Sequence, residues 1–229
     1  GHILTVYMLH ENFARLLNTY LSAHLRTMVQ VSVASVDQLT YEEFIRSMPN
    51  PSVISVFEMR PLSGNALMEI NPSIVFSIID RLFGGVGTPP AKPRELTDIE
   101  QSIVARLVNK ALESLSEAWR QVVNIEPRLE VIESNPQFTQ IVPPNDMVVI
   151  ITLQTRIAQT EGFINLCIPY LVLEPIMPKL TTSFWVASSI ARAGSKTNVT
   201  QMQKKLERTL VPLMVELGKI NVTVGEMLD

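Results

Sequence analysis

The chain has 229 residues, 46% of them hydrophobic and 18% charged, which is enough apolar surface for one sizeable core and excludes disorder as the main state. Its 19 basic and 22 acidic residues give a formal net charge of −3, and no segment is rich enough in Lys or Arg to track a phosphate backbone, so nucleic acid is excluded as an expected partner. Uncharged runs such as 162–173 stop at roughly a dozen residues, short of the ~20 that a transmembrane segment needs.

Leu9, Phe13, Leu16, Leu17, Tyr20, Leu21, Leu25 and Met28 recur every three or four positions, which predicts a helix over about 7–27 with these residues inward. Residues 29–36 alternate branched apolar with small polar side chains and predict a strand. Thr40 with Glu43 makes a capping box, and Leu39 with Phe44 a hydrophobic staple, for a short helix over 41–48 ended by Pro49. Strands follow at 52–59 and 66–70, around a turn where Gly64 can take positive φ. Pro72 suits a first helical turn, with Asn71 as cap and Ile74, Ile78, Ile79 and Leu82 as the buried stripe, and this helix ends at Gly84-Gly85.

The segment 86–93, rich in Pro, can form neither helix nor ladder and reads as an exposed connector. Thr97 and Glu100 make a second capping box, opening a helix over 98–119 with Ile99, Ile103, Leu107, Leu112 and Leu115 inward. Strands are predicted at 128–133, 147–156 and 162–168, after which Pro169 starts a helix toward Met177. The run 181–198, rich in Ser, Thr and Ala, reads as a linker carrying a short helix near 184–191. A helix at 201–208 and strands at 210–217 and 219–224 make 199–229 read as the truncated start of a C-terminal sheet domain, since two strands alone make a poor domain.

Ala14-Arg15-Leu16-Leu17-Asn18 returns 91 residues later as Ala105-Arg106-Leu107-Val108-Asn109, and the strand-to-helix prolines Pro72 and Pro169 are 97 apart. The shared order of elements points to a duplicated half-domain, about 7–83 and 97–178. Two such halves, each with an apolar sheet edge and face, bury both by joining across a pseudo-twofold axis. The predicted fold is therefore α/β, an α/β/α sandwich over residues 1–180.

His2, His10 and His24 all lie in the first 24 residues and Cys167 is the sole cysteine, so no zinc-ligand spacing exists and no metal or cofactor is expected. Cys167, in an apolar run, reads as a reduced core thiol and favours the cytoplasm. Neither a nucleophile elbow nor a P-loop is present. Gly84-Gly85-Val86-Gly87 follows a helix and runs into Pro89-Pro90, which donate no N–H, whereas a dinucleotide loop follows a strand and opens a helix. A helix cap with a positive-φ glycine and an exposed protein-docking loop both fit the composition and stay open at this point. If the loop is exposed, bulky residues at Gly85 or Gly87 need not unfold the domain.

The run Ile79-Asp80-Arg81-Leu82-Phe83-Gly84-Gly85-Val86-Gly87-Thr88-Pro89 resembles the FliM family of flagellar motor switch proteins, in the middle domain that carries a Gly-Gly-x-Gly loop. Residues 31–36, 40–44, 64–72 and 211–229 look like the same family. The resemblance implies a pseudo-symmetric domain that tiles into the wall of the rotor ring, at the cytoplasmic face of the inner membrane in the flagellar basal body. It also implies a docking site for FliG at Arg81, Phe83, Gly84, Gly85, Val86, Gly87, Thr88 and Pro89. Neighbouring copies in the ring, FliN and phosphorylated CheY are the other implied partners, although the family's short CheY-binding peptide is absent from this chain.

The same fold is shared with the CheC and CheX phosphatases, which place a Glu and, three residues later, an Asn on each long helix. Here the Asn positions are Asn18 and Asn109, but the Glu positions hold Arg15 and Arg106. A base where the family grips its substrate with an acid argues against catalysis, so a non-enzymatic switch is expected, with a response-regulator phosphatase as the alternative. Glu11, four residues before Arg15, is the expected ion-pair partner of that arginine.

Overall fold

The computed structural model describes residues 2–181. Its elements run α1 (His2–Leu25), β1 (Val29–Thr40), α2 (Tyr41–Ser47), β2 (Val53–Arg60), β3 (Asn65–Ile70), α3 (Pro72–Leu82), α4 (Asp98–Trp119), β4 (Glu126–Glu133), β5 (Met147–Ile157), β6 (Thr160–Pro169) and α5 (Tyr170–Leu173). Both capping boxes form, Thr40 with Glu43 and Thr97 with Glu100. Asn71 caps α3 by accepting the Ser73 N–H, with Pro72 in the first turn. The expected linker and C-terminal sheet domain, from 182 onward, lie outside the described residues.

The six strands form one antiparallel sheet in the order β1-β5-β6-β3-β2-β4. Exchanging the halves turns β1 into β4, β2 into β5 and β3 into β6, and the order then reads the same in reverse. At the central seam Leu67 faces Cys167 and Ile70 faces Ile164. With the Pro72-to-Pro169 offset of 97, Leu67 corresponds to Ile164 and Ile70 to Cys167, so each pair maps onto the other. Each half also lends its first strand to the other: β1 lies beside β5 and β4 beside β2. Each half therefore leaves its sheet incomplete without the other, and the two share one sheet.

Helices α1, α3 and α4 cover one face, burying Phe57, Met68, Ile151 and Leu166 beneath Phe13, Leu17, Ile74 and Leu112. The opposite face carries Ile54, Leu67, Ile150 and Cys167 under Tyr41, Phe44 and Ile45 of α2. Strands β2, β3, β5 and β6 are thus buried on both faces, and their sequences are near-continuously apolar rather than alternating. Burying roughly fifty apolar side chains at about 1.5–3 kcal/mol each is the main driving force against chain entropy.

Four expectations are corrected, one of them Leu82, which is exposed at the end of α3 rather than part of its buried stripe. Ile99 and Met28 are exposed, not inward, at 72% and 74%. The inner stripe of α4 is Val104, Leu107, Val108, Ala111, Leu112 and Leu115, and at about 100° per residue Ile99 projects to the opposite side. The helix expected from Pro169 toward Met177 is the four-residue α5 followed by a 3-10 segment, Glu174–Leu180. Pro175 and Pro178 have no N–H to donate to an α-helical ladder.

Candidate functional site

Helix α3 ends in a Schellman motif. The Gly84 N–H donates to the Arg81 carbonyl (3.1 Å) and the Gly85 N–H to the Asp80 carbonyl (2.8 Å), while Gly84 takes φ +90°, a region closed to most L residues. The cap reading of the glycines is therefore correct for Gly84 and Gly85. The loop then turns back over its own helix. The Asp80 carboxylate accepts the N–H groups of Gly87 (2.7 Å) and Thr88 (3.1 Å). The Gly87 carbonyl accepts hydroxyl hydrogens from Ser77 (2.8 Å) and from Thr160 of the second half (3.1 Å).

Arg81 completes the fastening. Its guanidinium donates to the Leu25 carbonyl from Nε (3.2 Å) and Nη2 (2.8 Å), to the Arg26 carbonyl (2.9 Å) and to the Gly85 carbonyl (3.0 Å). The Leu25 and Arg26 carbonyls are free acceptors at the C-terminus of α1, where a positive charge is favoured. One side chain thus ties the glycine loop to the end of α1. The far end of the connector is held as well, by a two-pronged Arg94–Glu100 pair at 2.7 Å. Arg94 first, with the Thr97 bonds adding to it, holds the Glu100 carboxyl at about 2.

The expected connector is therefore not uniformly exposed. Gly87 is buried and Gly85 half-buried, whereas Phe83, Gly84, Val86 and Thr88 are exposed and Pro89 is half-covered. A Cβ on Gly85 would lie 2.3 Å from the Asp80 carboxylate, and one on Gly87, at φ +91°, would meet Ser77 Oγ at 3.0 Å. The expectation that Gly85 and Gly87 tolerate bulk without cost to the fold is overturned. Around Gly84 there is nothing within 4 Å. What the loop offers outward is apolar: Leu82, Phe83 and Val86 are 45%, 72% and 75% exposed. Asp80, Ser77 and Thr160 were missed as supports; the Asp one turn before a glycine run is the signal that could have identified Asp80.

The pseudo-equivalent pairs on the long helices do not form a matched site. Arg15 is exposed and donates to Asn12 Oδ1 at 2.7 Å. Its expected partner Glu11 instead accepts the Val33 N–H at 3.0 Å, fastening β1 to α1. Asn18 is half-buried with its Oδ1 unpartnered, whereas Asn109 and Arg106 are exposed. Among the described residues there is no group of His, Cys, Asp and Glu that could hold a metal, and no helix long and apolar enough to cross a membrane.

The family model described as "Flagellar motor switch protein FliM" matches residues 2–185. The flagellar motor switch protein FliM of Treponema pallidum is 50% identical over 98% of this chain, and that of Borreliella burgdorferi 49% identical over 99%. The chain spans 65% and 64% of the length of these two relatives. Among solved structures, the FliG-FliM complex from H. pylori superposes with a TM-score of 0.76 at 35% identity, covering 78% of this chain and 98% of the matched one. The FliM middle domain from H. pylori gives 0.72 at 34% identity, covering 78% and 97%. FliY of Thermotoga maritima shares the fold at 17% identity, with a TM-score of 0.66 over 80% of this chain and 96% of that one.

Proposed function

This chain belongs to the FliM family of flagellar motor switch proteins, and from that premise we propose that it is a non-enzymatic rotor-ring component that docks FliG through the outward edge of its glycine loop. The observation that carries this is the pairing of rigidity with apolar exposure. Asp80 and Arg81 fix the backbone of 84–88, while Phe83 and Val86 project into solvent. A preorganised loop loses little conformational entropy on binding, so its exposed apolar area converts more fully into affinity. The related FliM whose structure was solved with FliG supports FliG as the partner.

Within this reading Phe83, Gly84, Val86, Thr88 and Pro89 form the contact edge. Gly85, Gly87 and Arg81 act by holding it. The wider assignments are part of the same proposal: tiling with neighbouring copies, association with FliN, response to phosphorylated CheY, and residence at the cytoplasmic face of the inner membrane in the basal body. Titration with purified FliG tests the docking. Val86→Asp and Phe83→Ala should each weaken binding about tenfold or more with an unchanged melting temperature, as for truncated interface anchors. Unchanged affinity in both variants would remove the loop from the interface.

A further inference from the structure

Behind Phe83 a hollow of about 290 Å³ opens between α1, α3 and α4. Leu21, Ile78 and Leu107, all buried, form its floor, and His24, Phe83 and Arg106 stand on its rim. That volume is at the lower limit for a small-molecule site but fits protein side chains.

Arg106 makes no hydrogen bond or ion pair among the described residues, in contrast to Arg15 and Arg81. Covering an unpaired guanidinium at an apolar mouth is costly unless the covering group supplies a carboxylate. The His24 ring lies against Tyr20 at 4.1 Å and its Nδ1 engages the Tyr20 carbonyl at 2.9 Å, so the imidazole is held as a wall of the opening.

We infer that this hollow is an anchor site for the docking partner: it receives a bulky apolar side chain of FliG whose neighbouring acidic residue pairs with Arg106. The inference rests on the docking reading above and extends the contact from the loop onto α1 and α4. It gives Arg106 a binding role in place of the lost acid. The commitment to this occupant follows from the unpaired cation and from Phe83, which belongs both to the contact edge and to the rim.

Titration with FliG separates the two claims. Arg106→Glu should weaken binding about tenfold and flatten its salt dependence, and His24→Trp, which fills the opening, should weaken it to a similar extent. Both positions are exposed, so unchanged melting temperatures are the control. If Val86→Asp abolishes binding while Arg106→Glu and His24→Trp remain within twofold of the parent, the anchor site is overturned and the loop reading stands. If Val86→Asp binds as the parent does while Arg106→Glu does not, the loop reading falls and the anchor site stands.

Discussion

The Asp80 carboxylate accepts the Gly87 N–H at 2.7 Å, and the same carboxylate occupies the space that a side chain on Gly85 would need. Asp80 thus demands the second glycine, whereas the third is demanded by its positive φ and by Ser77. Gly85→Ala should displace Asp80 from its two N–H donors and cost about 2–3 kcal/mol. Gly87→Ala, at positive φ and against Ser77, should cost about as much, and Gly84→Ala only ~1–2 kcal/mol from backbone strain. Thermal melting checks the order, at roughly 2–4 °C per kcal/mol for a domain of this size. Equal, negligible shifts in all three would refute the clamp.

Arg81 connects two helix ends, so its loss should be felt at both. Arg81→Met leaves the Leu25, Arg26 and Gly85 carbonyls without their charged donor, a loss of about 2–3 kcal/mol. Amide exchange should speed up at the C-terminus of α1 as well as in the loop. Acceleration confined to the loop would show that Arg81 does not hold α1.

Burial lowers the His10 pKa from 6.5 to about 4, against the smaller raising effect of its Nδ1 bond to the Val6 carbonyl. Between those values the unfolded chain holds a proton that the folded one does not. Stability therefore rises with pH across 4 to 6.5 and is lost on acidification, by about 3 kcal/mol in all. Glu69, raised by burial despite hydrogen bonds from Ser52 and Asn165, acts in the opposite sense above its ordinary 4.5. Denaturant titrations of the parent and His10→Gln at pH 4.5 and 6.5 isolate the histidine. The parent should gain stability over the variant on going to 6.5, and parallel changes would contradict the assignment.

The long helices carry Arg15 and Arg106 where a phosphatase needs acids, and their Asn partners differ in burial. The chain should leave the hydrolysis rate of phosphorylated CheY unchanged. Acceleration that Asn109→Ala abolishes would restore the enzymatic alternative.

Most of the fold was legible because local chemistry and tertiary demand agree. Thr40, Asn71 and Thr97 each cap the helix that their sequence context announces. The helix words and the paired prolines announce a repeated order of elements, and the strand order is palindromic in the same sense. The strand exchange between halves was not legible, since no local pattern in 29–40 names β5 as its partner. The loop was half-legible: glycine content announces a cap, but the inward turn of Gly87 depends on Ser77, Asp80 and Thr160, the last of them 73 residues away. Proline spacing at 175 and 178 held the information that shortens α5, and the apolar pattern concealed it.

Backbone amide exchange of this chain with and without FliG tests the central claim most directly. Docking at the rigid edge predicts added protection at residues 82–88, with any further protection limited to the adjoining C-terminus of α1 and the turn of α4 around Arg106. Binding with no change there, and protection appearing instead on the α2 face of the sheet, would contradict it.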